Sequence, residues 1–324
     1  MIKLADATQA QEKKATRAAY GVTLAQLADE GMPVVAVDAD LTGSTTTKKF
    51  AAASEAYADR LYNVGIAEQN MIDVAAGLAL TGHVAYTGSF AVFGTGRAYD
   101  QIRNTVCYSN LDVKICPTHA GVSVGPDGGS HQMLEDVSLM RGLPNMRVLV
   151  PADYAAARAA IKLAAKTPGP VYVRMGRAAV PCVYDDDVEL ELGRAYVLRE
   201  GADATVVACG VEIREALAAA DALAAEGISI EVIDAFSVKP LDEDTITASV
   251  AKTGCCVVAE EHSVHGGLGS AVAECLARKN PAPCEFVGVE DRFGKSGEFE
   301  ELLGYFNLDA SSIANAAKRA IARK

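Results

Sequence analysis

The 324-residue sequence contains no tryptophan, only five histidines and no apolar run long enough to cross a membrane. A transmembrane helix needs about 20 consecutive apolar residues. The opening residues, MIKLADATQAQEKKATRAAY, carry charges where a secretory signal peptide has its apolar stretch. We therefore expect a cytoplasmic protein without a membrane partner.

Closely spaced cysteines are also absent. The eight cysteines are scattered, and the one close pair, Cys255 and Cys256, is adjacent. Adjacent cysteines have neither the spacing of a zinc site nor that of a redox C-x-x-C motif. We interpret the cysteines as reduced thiols of the core and predict no metal ligands in this chain.

The sequence has few positive charges. It contains 30 lysines and arginines against 42 aspartates and glutamates, which gives a net charge of -12. This balance argues against nucleic acid or an anionic membrane as partner, although a local basic pocket can still bind one phosphate. Half of the residues are hydrophobic, so the chain can bury a sizeable core, and its length favours two domains. Small molecules are the expected substrates.

Helix and strand patterns alternate along the first half of the chain. Helical spacing over residues 11–30 precedes a buried strand, MPVVAVDADL. Further helices are expected at 68–80, 95–109, 131–141 and 153–166, with the strands HVAYTG, DVKICPT, MRVLVP and PVYVRM after them. This α/β alternation predicts a parallel sheet with helices on both faces.

The composition changes at AAVPCVYDDDVELELG, where acidic residues, proline and tyrosine replace alanine-rich helices. We predict a first domain at 1–178, a linker at 179–193 and a smaller α/β domain at 194–324. The second domain repeats the alternation with ATVVACG, EIREALAAADALAAEG, SIEVIDAF, CCVVAEE, HGGLGSAVAECLARK and CEFVGV.

Polar residues follow several predicted strands, and ligands of parallel sheets bind at the carboxyl ends of strands. The segment ICPTHAGVSVGPDGGSHQM places His119, Asp127 and His131 among glycines. Ordering such a glycine-rich loop costs conformational entropy. Imidazoles and a carboxylate provide the donors and acceptors that sugar hydroxyls require, and a protonated imidazole can meet a phosphate. We interpret this loop as a binding site for a polar ligand.

Other residues at strand exits have simpler explanations when each is taken alone. Glu68 can be an acid favoured by the dipole at a helix start. Phe90 and Phe93 can be core residues. Asp40 and Ser44 can serve a turn and a helix cap.

Taken together, the motifs resemble a known family. NVGIAEQNM, GSFAVFG, THAGVSVGPDGGSHQ, PNMRVLVPAD and GPVYVRMGR occur in one order that resembles transketolases from their pyrimidine-binding domain onward, and the tail resembles their C-terminal domain. The resemblance covers nearly the whole chain. It implies thiamine diphosphate as cofactor and transfer of a two-carbon ketol unit from a ketose phosphate, such as xylulose 5-phosphate, to an aldose phosphate, such as ribose 5-phosphate.

The resemblance also implies roles for residues. Glu68 matches the glutamate that hydrogen-bonds the aminopyrimidine ring, and two phenylalanines match the aromatics that pack against it. The cofactor contacts implied in this way are Asp40, Leu41, Ile66, Glu68, Phe90 and Phe93.

The sugar-phosphate contacts are implied by the same alignment. His119, Asp127 and His131 match residues that contact the hydroxyl groups of the sugar, the C1 end of the sugar and its phosphate. The matching residues also relay protons. The complete implied substrate set is Arg17, Ser44, His119, Asp127, His131 and Arg177, with Arg174 left open as the alternative to Arg177.

One family motif is lacking. Full-length transketolases hold the diphosphate and magnesium with a GDG motif, which does not occur in this sequence. The resemblance therefore implies the C-terminal subunit of a split transketolase, with a GDG-bearing N-terminal subunit as partner, two copies of each in a heterotetramer, and Mg²⁺ bound mainly by the partner. Gly96 also stands where many relatives have an aromatic residue. The alternatives are a 2-oxo acid dehydrogenase beta subunit, a deoxyxylulose phosphate synthase-like enzyme and a non-catalytic subunit.

Overall fold

The computed structural model describes residues 2–6 and 9–324. Strands β1 to β14 of the described residues are Lys13–Ala15, Val34–Asp38, Leu61–Asn63, Val84–Gly88, Val113–Ile115, Arg147–Leu149, Val171–Val173, Ala179–Pro181, Tyr196–Arg199, Ala204–Ala208, Ile230–Asp234, Ser237–Lys239, Cys256–Ser263 and Cys284–Val289.

Helices α1 to α13 of the same residues are Tyr20–Asp29, Thr42–Thr45, Lys48–Ala53, Glu55–Ala58, Glu68–Leu80, Tyr99–Gln101, Asp136–Arg141, Tyr154–Lys166, Glu212–Ala225, Glu243–Thr253, Leu268–Lys279, Phe299–Tyr305 and Ala310–Ile321. The 3₁₀ turns are Gln9–Gln11, Thr16–Ala19 and Val122–Asp127, and the π-helical turns are Val92–Arg97 and Ile102–Cys107.

Seven strands form the first sheet, in the order β12-β6-β7-β5-β4-β2-β3. All neighbours are parallel except β12, which runs antiparallel to β6. Every residue of β2 and β4 is buried, because helices cover both faces of a parallel sheet. The predicted α/β fold is confirmed.

Five strands form the second sheet, in the order β14-β13-β10-β11-β9. Its strands are parallel apart from β9, which pairs antiparallel with β11. The strands β10 and β11 are buried along their whole length. The second half of the chain therefore has its own sheet, as expected for a second α/β domain. The exact domain boundaries stay a prediction.

Three helix predictions were wrong at their bounds. Residues 11–30 form β1, a 3₁₀ turn and then α1, because Lys14 pairs across to Val180 of β8 inside the predicted linker. Residues 95–109 are divided between π-helical turns and the short α6. Residues 131–135 precede α7, and Met133 bridges to Ala120 instead of joining the helix. In the first and third cases, pairing with a segment distant in sequence overrode local helical spacing.

The helix predicted from Glu68 to Leu80 is confirmed as α5. No helix in the described ranges is long and apolar enough to span a membrane. All eight cysteines are free thiols, and seven of them are buried.

Strand β12 ties the two halves of the chain together. It follows β11 of the second sheet, yet Ser237 pairs with Leu149 at the edge of the first sheet. The second half of the chain therefore completes the sheet of the first half.

Asp153 anchors the segment that follows β8, and this role can be tested. It is fully buried, caps α8 at Ala156 and accepts backbone N–H groups of Val183 and Tyr184. We expect Asp153→Ala to lower the free energy of unfolding by about 2 to 4 kcal/mol, because a cap is lost and two donors stay unpaired. Urea denaturation measures this change.

The matched control is Asp309→Ala, which removes the cap of α13 at Ser312. Its expected cost is about 1 kcal/mol. Equal losses in the two variants would contradict the anchoring role of Asp153.

Candidate functional site

Several predicted site residues follow the carboxyl ends of neighbouring strands in the first sheet. Asp40 follows β2, Phe90 follows β4 and His119 follows β5, while Glu68 begins the helix after β3. Because these strands are parallel neighbours, their exits meet along one edge. The site thus assembles from segments far apart in sequence.

Glu68 is a buried carboxylate at the first position of α5, with 2% of its surface exposed. Its Oε2 accepts a hydrogen bond of 2.7 Å from Nη1 of Arg97, and that guanidinium lies 4.6 Å from the centre of the Phe93 ring. The helix N-terminus and the arginine both favour the negative charge. The carboxylate and an aromatic face are therefore adjacent.

Arg97 is a site residue that sequence reasoning missed. It is half-exposed and lies 29 residues after Glu68. Its pairing with Glu68 depends on the π-helical turn Val92–Arg97, and no spacing rule reveals such a pairing in a single sequence.

The aromatic residues lie between Glu68 and the loop at residues 119–132, called the histidine loop below. The rings of Phe90 and Phe93 stack at 6.2 Å between centroids. Phe90 also stacks on His119 at 3.7 Å, and Phe93 meets His131 edge-on at 5.5 Å. The structure therefore brings four of the predicted residues into one cluster with flat, polarizable faces.

His119 is buried and neutral at physiological pH. Burial, followed by the positive charges of Arg17 and Arg177, lowers the pKa of His119 to about 3. Its Nδ1 lies 2.7 Å from the hydroxyl of Thr118, and its backbone has a φ of 61°. The imidazole therefore acts through hydrogen bonds and not as a cation.

Two arginines form a positive centre beside this cluster. Arg17 donates a 2.7 Å bond to the backbone carbonyl of Ser44, and Arg177 donates a 2.9 Å bond to that of Val124. Burial and then the charge of Arg177 lower the pKa of Arg17, while Asp127 opposes this. Two guanidinium groups that repel each other can together accept an anion.

Arg174 lies elsewhere. Its Nε donates a 2.7 Å bond to Asp136, and its Nη2 donates a 2.9 Å bond to the backbone carbonyl of Glu261. Burial lowers the pKa of Arg174, but the charges of Asp136 and Glu261 outweigh it and raise that pKa. Between the two candidates, Arg177 is the one next to Arg17.

The remaining predicted residues lie at the margin. Asp40 and Asn63 exchange two 3.1 Å hydrogen bonds, and the backbone of Asp40 has a φ of 64°. Leu41 is half-buried beside them. Asp127 is exposed on its loop, and Ile66 is 79% exposed. Ile66 is not drawn into the aromatic cluster.

Comparison with known proteins identifies the family of the chain. The family model for the transketolase pyrimidine binding domain matches residues 12–183, which is more than half of the chain. The chain belongs to the transketolase family. The model for the transketolase C-terminal domain matches residues 193–313. The predicted resemblance is therefore confirmed.

Relatives of this transketolase-family chain match it along most of its length. A putative transketolase C-terminal section of Methanocaldococcus jannaschii is 45% identical, over 93% of this chain and 94% of its own. A 6-deoxy-6-sulfo-D-fructose transketolase subunit of Clostridium sp. is 42% identical, over 95% of each chain. A solved structure titled split gene transketolase, inactive β4 tetramer, is 47% identical with a TM-score of 0.87, over 96% of this chain and 99% of its own.

The transketolase family depends on thiamine diphosphate, and the site fits part of that cofactor. A buried carboxylate and stacked phenyl rings suit a flat aminopyrimidine, which needs an acceptor at its edge and apolar contact on its face. Among residues 2–6 and 9–324, no group of three or more His, Cys, Asp or Glu side chains can hold a metal ion. Within these ranges, the residues of the site therefore fit the pyrimidine part of the cofactor.

The neutrality of His119 is testable. We expect its imidazole to remain unprotonated down to about pH 4, because its pKa is near 3 and not at the usual value of 6.5. Since the unfolded chain takes up this proton near pH 6.5, the associated stability is present above that pH and declines as the pH falls toward 3. Nitrogen-15 NMR of the imidazoles measures the midpoint.

A His119→Gln variant identifies the resonance. A titration midpoint above pH 6 for the signal that disappears in this variant would contradict the buried, neutral state.

Proposed function

We propose that this chain is the C-terminal subunit of a split transketolase that moves a two-carbon ketol unit between sugar phosphates. The observation that carries the proposal is the junction of a buried acid, stacked aromatics, two histidines and two arginines at one sheet edge. The acid and the aromatic rings suit a pyrimidine, and the histidines and arginines suit the hydroxyl groups and the phosphate of a phosphorylated polyol.

When bound, thiamine diphosphate supplies the nucleophilic carbon on which the reaction depends. Glu68 binds the edge of the aminopyrimidine and holds a proton there, and Arg97 orients its carboxylate. Phe90 and Phe93 exclude water from the ring face. Asp40 and Leu41 complete this side of the pocket.

The histidine loop binds the sugar. Neutral His119 donates and accepts hydrogen bonds with hydroxyl groups, and His131 and Asp127 position the remaining hydroxyls and move protons at the substrate oxygens. Arg17 and Arg177 bind the terminal phosphate with paired, charge-assisted bonds, and Ser44 holds Arg17 through its carbonyl. The loop therefore selects a ketose that carries phosphate at the far end.

A partner subunit completes the proposed enzyme. It carries the GDG motif, binds the diphosphate and Mg²⁺, and joins two copies of this chain in a heterotetramer of closed symmetry. The solved structure titled inactive β4 tetramer supports this arrangement, since it describes such a relative assembled without activity. The site of action is the cytoplasm.

The test compares this chain alone with the chain co-expressed with a GDG-bearing subunit. We expect two-carbon transfer from xylulose 5-phosphate to ribose 5-phosphate only in the co-expressed sample, with thiamine diphosphate and Mg²⁺ present. Glu68→Gln should lower kcat by ~100-fold or more, because the carboxylate no longer shares a proton with the pyrimidine. Glu55→Gln, an exposed glutamate that also begins a helix, is the matched control.

Each other result points to an alternative. Activity of the chain alone would refute the split-enzyme proposal. Activity with a sulfonated or another phosphorylated ketose would keep the reaction and change its substrate, as the sulfofructose relative suggests. Turnover of pyruvate would favour a dehydrogenase subunit or deoxyxylulose phosphate synthase, and tight assembly without any turnover would favour a non-catalytic subunit.

The arginine pair gives a second test in the assembled enzyme. We expect Arg17→Ala and Arg177→Ala each to raise KM for a ketose phosphate by ~10 to 100-fold, since a hydrogen bond to a charged group contributes about 1.5 to 3 kcal/mol. KM for the same ketose without phosphate should stay within about twofold, because the lost bonds reach only the phosphate. Steady-state kinetics with both sugars separates the two effects.

Arg199→Ala is the control, since Arg199 lies on β9 of the second sheet. Equal losses for both sugars in the two pocket variants would show that these arginines support the fold and do not bind phosphate.

A further inference from the structure

The histidine loop, residues 119–132, is held from outside by the second half of the chain. Its backbone turns through left-handed conformations at His119, Gly121, Gly125 and Gly128, with φ between 61° and 79°. Its internal backbone hydrogen bonds include those of the 3₁₀ turn Val122–Asp127 and those that the carbonyl of Gly128 accepts from His131 and Gln132. Contacts from neighbouring segments hold these turns in place.

Glu261 of β13 makes the central contact. Its side chain is 3% exposed and accepts the backbone N–H of Ser123, in the middle of the loop. A Cβ on Gly121 would overlap the Glu261 carboxylate, so the loop packs directly on this group. A charge-assisted bond to a backbone donor is roughly twice as strong as a neutral one.

Arg174 links Glu261 to the end of the loop. Its guanidinium lies 3.8 Å from the Glu261 carboxylate, donates to Asp136 and donates a 3.4 Å bond to the carbonyl of Met133. Met133 directly follows the loop, and Arg174 lies three residues before Arg177 of the phosphate centre. One buried ionic network therefore contacts the loop at Ser123 and the residue that follows it, Met133.

Residues 294–297 hold the opposite side of the loop. The carbonyl of Lys295 accepts a 2.9 Å bond from Nε2 of Gln132, which also donates 3.1 Å to the carbonyl of Val122. Gly294 packs against the Gln132 side chain so closely that a Cβ there would overlap it. The loop is thus clamped between two segments of the second half.

We propose that Glu261 is a positioning residue for sugar binding, because its carboxylate sets the loop geometry that aims His119 and His131. The proposal rests on the function proposed above. A displacement of about 1 Å at a reacting group can cost ~100-fold in rate. The second half of the chain therefore acts on the reaction itself without touching substrate.

The test replaces Glu261 by glutamine in the assembled enzyme and compares it with Glu260→Gln. Glu260 is the adjacent buried glutamate, but it accepts from the N–H groups of Leu268 (2.7 Å) and Gly269 (2.8 Å) and not from the loop. We expect Glu261→Gln to lower kcat/KM for the ketose phosphate by ~10 to 100-fold and to leave thiamine diphosphate affinity within about twofold. Glu260→Gln should lower the melting temperature without this kinetic loss.

Amide hydrogen exchange provides a readout that does not need turnover. We expect faster exchange at Ser123 and its loop neighbours in Glu261→Gln, and unchanged exchange there in Glu260→Gln. If the unaltered enzyme transfers no two-carbon unit, the proposed function fails while this comparison still tests the clamp. Equal exchange and equal kcat/KM in the two variants would overturn the positioning role.

Discussion

The placement of the loop at residues 119–132 depends on the buried guanidinium of Arg174 and on the carboxylate of Glu261 beside it. A buried charge is costly unless it is fully paired, and this one has three partner residues: Asp136 of α7, Met133 through its carbonyl, and Glu261 of β13 through its carbonyl and carboxylate. Removing any partner would leave charge stranded in the interior. The requirement to satisfy Arg174 thus fixes how β7, α7 and β13 meet, and with them the loop that crosses this junction.

The local charge at the site opposes that of the whole protein. The chain has a net charge of -12, yet Arg17 and Arg177 repel each other at the loop, and the imidazole beside them is neutral. A confined positive centre attracts an anionic ligand over short distances, whereas the acidic exterior repels polyanions. This division favours a small phosphorylated molecule over a nucleic acid, in agreement with the composition.

Sequence patterns predicted the parts of the fold that depend on local chemistry. Buried β-branched runs indicated β2 and β4, and the apolar spacing after Glu68 indicated α5 at both of its ends. The pairing of β1 with β8 was missed, because an alanine-rich segment with helical spacing was drawn into a strand by a partner about 165 residues away.

The family motifs predicted part of the candidate site, and other residues of the candidate site carry no motif. The loop histidines and the two phenylalanines could be placed from their motifs, and the structure joins them in one cluster. Arg97 and Glu261 carry no such signal, since each bonds a residue distant in sequence: Arg97 bonds the carboxylate of Glu68, and Glu261 bonds the backbone N–H of Ser123. Tertiary contact alone distinguishes them from neighbours such as Glu260.

Strand β12 has a consequence for how this chain can be divided. Because Ser237 and Lys239 pair with β6, the first sheet borrows its outer strand from sequence that lies beyond the predicted linker. A fragment ending before Ser237 would present β6 as an open edge, with unpaired amide and carbonyl groups ready to recruit a strand from another molecule. The two halves are separate in sequence but share this strand pair, so a first half produced without the second would be prone to self-association.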